Sequence, residues 1–316
     1  MGLLVEGEWQ DRWYSTDKSE GRFVRSESQF RNWITKDGEK GPSGQQGFAA
    51  ASKRYHLYVS LACPWAHRTL IMRQLKDLED HISVSVVHPL MLENGWTFED
   101  GPGVMPDPVQ DARYFYEVYL RADPKYSGRV TVPVLWDKET HQLVSNESSE
   151  IIRMLNSAFN DITQNQDDYY PTAHREEIDA INHRVYQQVN NGVYKAGFAT
   201  TQQAYEEAVI PLFETLDWLN DRLTERKFLM GDAITEADIR LFTTLIRFDP
   251  VYHGHFKCNR QRLAEIPYLA AYTRALFAMP AFRDTTNFAH IKQHYYGSHR
   301  NLNPTGIVPI GPDEPC

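Results

Sequence analysis

The stretch Tyr55-His56-Leu57-Tyr58-Val59-Ser60-Leu61-Ala62-Cys63-Pro64-Trp65-Ala66 decides how the chain is read. Tyr55, Leu57 and Val59 alternate with His56, Tyr58 and Ser60, the period-two pattern of a strand with one buried face. Leu70, Ile71, Leu75 and Leu78 then recur at close to the helical period, and Pro64 suits a first helical position, where no amide hydrogen is required. The pattern predicts a strand running directly into a helix, with Cys63 at the helix start. Unpaired amides and a partial positive charge at that end favour the thiolate, the nucleophilic form of cysteine. A buried structural cysteine is the competing reading.

Working outward, Ser83 to Val87 and Thr131 to Trp136 read as further strands, and Lys138 to His141 as a turn joining the latter to Gln142–Val144. Strand, helix, strand and hairpin in that order predict an α/β, thioredoxin-like N-terminal domain over 53–165. His88 to Arg129 is a long insertion within it, with a Pro- and Asp-rich loop (Asp100 to Pro108) and a short aromatic helix near Tyr114 to Leu120. Before it, residues 1–52 are polar and Gly-rich but carry Trp9, Trp13, Tyr14 and Trp33, so they read as an extension wrapped on a core. Beyond Pro171, Ile178, Ile181, Val185 and Val189, then Val209, Leu212, Phe213, Leu216 and Leu223, keep helical spacing, which predicts an all-α C-terminal domain over 172–316. Thr235 with Asp238 three positions on is a capping-box signal, and Pro211 is expected in a helix's first turn or at a kink.

Composition narrows the function. The 316 residues carry a net charge of −9, which gives no general attraction to phosphate backbones or anionic lipid, so no nucleic-acid and no membrane partner is expected. No apolar run has the length of a membrane helix and Met1 to Arg25 is polar, so the expected location is cytoplasmic. Cys63, Cys258 and Cys316 have neither disulfide-like nor zinc-like spacing; no metal is expected, and Cys258 and Cys316 are expected to be uninvolved in catalysis. Ala66 stands where a dithiol redox protein carries its second cysteine, so a mixed disulfide at Cys63 needs an external thiol, for which glutathione is the abundant intracellular candidate.

Val132-Pro133-Val134 sets a proline beside a strand, where it lacks a ladder donor. It reads as a cis-proline that exposes the Val132 backbone to a peptide ligand, or as an edge-strand proline with no ligand. Glu147 and Ser148 precede the apolar run Ile151, Ile152 and Leu155 and so sit at a helix N-terminus. Amides there bind a carboxylate while Glu147 takes an ammonium group, although an ordinary cap fits equally well. Arg129 offers a carboxylate partner or a solvated surface charge. His67 and Arg68 are expected to serve packing or the surface.

Taken together, Ser60 to Arg68, Arg129-Val130-Thr131-Val132-Pro133, Ser145-Asn146-Glu147-Ser148 and Asn303-Pro304-Thr305-Gly306 resemble the glutathionyl-hydroquinone reductases, the xi class of glutathione transferases. The resemblance spans nearly the whole chain, including Leu92-Glu93-Asn94-Gly95-Trp96. It implies the glutathione transferase architecture, glutathione as co-substrate, aromatic hydroquinone conjugates as substrates, and a homodimer. It further implies that Cys63 takes glutathione from the conjugate, that Trp96, Arg129, Val130, Thr131, Val132, Glu147 and Ser148 contact glutathione, and that Tyr194, with Tyr252 and Tyr295, holds and protonates the quinol. Bottom-up, Tyr194 stands out only because Asn190 to Gly197 is a Gly-flanked break between helices. Two rivals remain: an omega-like thiol transferase or dehydroascorbate reductase using the same cysteine, and a non-catalytic transferase-like module.

Overall fold

The computed structural model describes residues 2–315 and divides them into two compact units, 2–13 with 26–168 and 14–25 with 169–315. Cys316 lies outside the described residues. Segment 14–25 of the N-terminal extension thus groups with the second unit and the rest of it with the first.

In the first unit the strands are β1 (Leu3–Val5), β2 (Glu8–Gln10), β3 (Trp33–Thr35), β4 (Gly47–Ala49), β5 (Tyr55–Val59), β6 (Ser83–Val86), β7 (Gly128–Arg129), β8 (Val134–Asp137) and β9 (Gln142–Ser145). The helices are α1 (Pro64–Leu75), α2 (Phe115–Ala122), α3 (Ser148–Ser157) and the single turn α4 (Asn160–Thr163). Four strands form one sheet in the order β6-β5-β8-β9, with β5 parallel to β6 and antiparallel to β8. That is the thioredoxin-like half. β1 pairs antiparallel with β7, Leu3 opposite Arg129, so the extension adds its own strand beside the insertion's end.

β5 is buried on both faces, whereas its alternating pattern predicted one. The insertion covers the second face. The Tyr58 hydroxyl donates to Asp107 at 2.9 Å, the Ser85 hydroxyl to the Pro106 carbonyl at 2.8 Å, and His56 lies between Ser83 and Ser85. Polar residues of β5 thus find partners that local alternation cannot reveal. β8 starts at Val134 rather than Thr131, because Pro133 has no amide to give the ladder and both peptide groups of Thr131 bond elsewhere.

The second unit is helical: α5 (Arg175–Val185), α6 (Gly192–Gly197), α7 (Gln202–Arg222), α8 (Glu236–Leu245), α9 (Pro267–Phe277), α10 (Pro280–Arg283) and α11 (Phe288–Ser298). Ile178, Ile181, Val185, Val189, Leu212, Phe213 and Leu216 are buried, as the periodicity requires. Thr235 and Asp238 close the expected capping box, and Asp238 also accepts from the Leu229 amide and the Tyr272 hydroxyl. Pro211 lies in the interior of α7, not in its first turn. π-Helical turns at Tyr186–Asn190 and Phe248–Tyr252 interrupt the bundle. Near the end of the chain Lys292 donates to the Ile310 carbonyl and pairs with Asp313.

Among the described residues no helix is long and apolar enough to cross a membrane, and no group of three or more His, Cys, Asp or Glu is arranged to hold a metal.

Candidate active site

In the first unit Cys63 is the N-cap of α1, with extended backbone (φ −77°, ψ 122°), and its carbonyl accepts from the His67 amide at 3.0 Å. The half-buried thiol donates to the Val132 carbonyl at 3.6 Å, and the Val132–Pro133 peptide is cis. The cysteine and the backbone segment read as a ligand anchor are therefore neighbours, although 69 positions separate them. At the N-terminus of α3, the Glu147 carboxylate caps the helix, accepting from the Ser149 amide at 3.0 Å and hydroxyl at 2.7 Å and from the Ser28 hydroxyl at 3.1 Å. Burial raises the Glu147 pKa, but the Ser149 amide and hydroxyl, the Arg68 charge and Ser28 outweigh it and hold the carboxyl below its ordinary value. Ser148 is buried beside it.

Trp96 is buried, its carbonyl accepting from the Phe115 amide at 2.9 Å. Its segment is backed by Trp9 of the extension, whose indole donates to the Glu93 carbonyl at 2.9 Å and stacks on Tyr116. Arg129, in β7, donates to the Arg12 carbonyl at 2.5 Å. Val130 and Val132 are buried and Thr131 is half-buried.

Two further residues of this unit bear on the site: Arg68, for which packing or the surface was expected, and Tyr119, which escaped the sequence reading. Arg68 is buried at 1% exposure; it reaches the Ser148 hydroxyl at 3.4 Å, stacks over Trp65 at 4.5 Å, and contributes the positive charge felt by Glu147. The three-residue spacing of Trp65 and Arg68 was its one visible signal. Tyr119, from the insertion's α2, donates to the Thr131 carbonyl at 2.7 Å and accepts from the Thr131 amide and the Asn146 side chain, both at 3.2 Å. It clamps the peptide preceding Val132.

In the second unit the three expected tyrosines meet. The Tyr194 and Tyr295 hydroxyls are 2.5 Å apart and those of Tyr252 and Tyr295 are 2.9 Å apart. Tyr252 ends one π turn and Tyr194 follows the other, an irregularity that re-aims side chains out of helical register. Burial pushes the Tyr252 and Tyr295 hydroxyls well above the ordinary phenol value, so both stay protonated. Phe256 packs against all three rings, with His255 and His299 beside it. Cys258 is fully buried and its thiol is pushed up by that burial, which suits a structural role.

Comparison with known proteins fits both units. Residues 62–158 match the family model of the glutathione S-transferase N-terminal domain, and residues 202–275 that of the glutathione S-transferase C-terminal domain. The chain is 57% identical over 320 residues to glutathionyl-hydroquinone reductase YqjG of Escherichia coli, a match covering 100% of this chain and 98% of that one. The glutathione-bound structure of YqjG aligns with a TM-score of 0.90 at 55% identity, covering 99% and 97% of the two chains. The xi glutathione transferase of Phanerochaete chrysosporium aligns with a TM-score of 0.87 at 52% identity, covering 92% and 98%. A thioredoxin-like half with cysteine at the first helix cap, a helical second unit, and this likeness along the whole length place the chain in the xi class of glutathione transferases, the family of the glutathionyl-hydroquinone reductases.

Proposed function

We propose that this chain reduces glutathionyl-hydroquinones to free hydroquinones, with glutathione as the reductant. The Cys63 thiolate attacks the sulfur of the conjugate. The bond from sulfur to the ring carbon breaks, its electron pair stays on that carbon, the carbon takes a proton, and a disulfide joins Cys63 to glutathione. A second glutathione thiolate then attacks the glutathione sulfur of that disulfide, freeing Cys63 and leaving as oxidised glutathione. The two electrons that convert the carbon–sulfur bond into carbon–hydrogen thus come from two glutathione molecules.

Within this reading Glu147 takes the ammonium group of the γ-glutamyl end, Ser148 and the first amides of α3 hold its carboxylate, and the Val132 backbone pairs with the cysteinyl part. Trp96, Arg129, Val130 and Thr131 complete the contacts. Tyr194, with Tyr252 and Tyr295, serves the aromatic half and supplies the proton. By family likeness the protein works as a cytoplasmic homodimer.

The observation that carries the proposal is Cys63 at the cap of α1, 3.6 Å from the carbonyl that precedes the cis-proline, with alanine where a resolving cysteine would stand. A conjugating transferase activates the glutathione thiol with a hydroxyl; a cysteine at that place forms a mixed disulfide instead. The test is release of hydroquinone from glutathionyl-menadiol with excess glutathione, followed by chromatography. Release is expected from the native protein and loss of it, by at least about a thousandfold, in both Cys63→Ala and Cys63→Ser. Reduction of dehydroascorbate or a mixed disulfide without hydroquinone release would move the assignment to a general thiol transferase. Silence in every assay would leave a binding module.

A further inference from the structure

Segment 14–25 belongs to the helical unit although it precedes the sheet in sequence. It is stitched down at Gly21: the Thr200 amide donates to the Gly21 carbonyl at 3.0 Å, the Thr201 hydroxyl to the Glu20 carbonyl at 3.1 Å, and Arg22 forks onto Glu207 at 2.7 and 3.1 Å. Beyond that anchor Val24 faces solvent while Phe23 is buried, with its ring 5.4 Å from Phe198 and 6.4 Å from Tyr194. Arg25 follows. Its Nε donates to Asn191 Oδ1 at 2.8 Å, and its guanidinium carbon lies 4.8 Å from the centroid of the Tyr194 ring. Tyr194 is thus met by a cation at its ring and by Tyr295 at its hydroxyl.

The three phenols are not equivalent. Tyr252 and Tyr295 are fully buried; burial opposes their ionisation first, and negative charge on Tyr194 opposes it further. Tyr194 is half-buried and has the Arg25 guanidinium at its ring, whereas the Arg247 charge felt by Tyr252 and Tyr295 does not offset their burial. A phenolate on Tyr194 would accept from Tyr295, which in turn accepts from Tyr252, and would be paired with a cation that cannot lose its proton at working pH.

We infer that Arg25 of the N-terminal extension is the positioning residue of Tyr194, fixing the ring and stabilising the phenolate left once Tyr194 has given its proton to the hydroquinone carbon. The inference rests on the reaction proposed above. The Tyr194 O–H bond breaks, the proton joins the ring carbon that carried sulfur, and the pair from the broken carbon–sulfur bond becomes the new carbon–hydrogen bond. The phenolate regains a proton from solvent, to which the incoming glutathione thiol gives one up, so the cycle closes.

The experiment compares two reactions of the full-length protein. One is hydroquinone release from glutathionyl-menadiol; the other is reduction of the mixed disulfide of glutathione and 2-mercaptoethanol, which uses Cys63 but protonates no carbon. Arg25→Gln is expected to lower kcat for hydroquinone release about tenfold with KM nearly unchanged, and to leave disulfide reduction within about twofold. Arg25→Lys should restore part of the loss, because it keeps the charge without the fork. Tyr194→Phe should lower release about a hundredfold, and adding Arg25→Gln to it should cost nothing more. The inference fails if Arg25→Gln leaves release unchanged, lowers both reactions alike, or lowers release equally with and without Tyr194. If the native protein reduces the disulfide but releases no hydroquinone, the proposed function falls, and the role of Arg25 with it.

Discussion

The two units build their candidate sites from opposite materials. Around Cys63 the working groups are mostly backbone: a helix start, the carbonyl before a cis-proline, and the amides of α3, with Glu147 and Arg129 as the charged side chains turned to the ligand in our reading. In the helical unit the working groups are side chains; Tyr194 and Tyr252 each meet Tyr295 hydroxyl to hydroxyl, among Phe256, His255 and His299. A backbone site reads a constant ligand, since peptide geometry does not vary with side-chain choice. A side-chain site can be retuned one residue at a time. A reaction that always uses glutathione but accepts different aromatic partners calls for one of each.

The sharpest way to break this contrast is at Glu147. Glu147→Ala removes both the proposed ammonium partner and the cap of α3, and should weaken glutathione binding by about 2–3 kcal/mol, on the order of a hundredfold in Kd by calorimetry. Glu147→Gln keeps a cap acceptor and should fall between the two. If Glu147→Ala binds glutathione as well as the native protein does, the ligand end of α3 has been misread.

Acid should separate the units next. Burial holds the His255 pKa at about 4 and also pushes the more deeply buried His299 down, with the neighbouring His294 and His255 adding to the latter. The unfolded chain therefore binds protons that the folded chain refuses. Stability is complete above pH 6.5 and is lost as pH falls toward 4, by about 2 kcal/mol for His255 alone at pH 5. In the sheet unit His56 is likewise held at about 4 by burial, while the depressed Glu147 carboxyl adds loss only below the ordinary carboxylate range. Amide hydrogen exchange between pH 7 and pH 5 should show protection falling faster in α8 and α11 than in β5 and β8. Equal slopes would mean that the imidazoles of the helical unit are solvated.

The same contrast explains what the sequence could say. Cys63 and Glu147 were legible because a helix cap is a local event, declared within four residues by a proline or by the onset of apolar periodicity. The tyrosine cluster joins residues 101 and 43 positions apart, and only family likeness brought them together beforehand. Tyr119 and Arg25 were invisible for the same reason: each acts across a fold, through a partner named by no motif. β5 misled because its second face is covered by Asp107 and Pro106 from an insertion that no strand pattern foretells. Tyr119→Phe tests whether that long-range clamp matters. It removes the donor to the Thr131 carbonyl and the acceptor for the Thr131 amide, and should cost about 1–2 kcal/mol, read as a rise of about tenfold in glutathione KM with smaller change in kcat. An unchanged KM would make the clamp a fold element only.

The smallest expected effect bears on how the extension serves the side-chain site. Gly21 has φ +85°, a conformation L-residues rarely hold, and an added Cβ would lie 2.6 Å from Thr201 Cγ2. Gly21→Ala should therefore destabilise the local seat by about 1 kcal/mol without touching the cap of α1. Because Phe23 and Arg25 follow that seat, hydroquinone release should fall by about threefold to fivefold while disulfide reduction holds, a weaker copy of the Arg25→Gln pattern. A parallel fall in both reactions would show that the extension acts on the protein as a whole. A fall confined to hydroquinone release would show that a segment at the start of the chain specifically adjusts a tyrosine about 170 positions later.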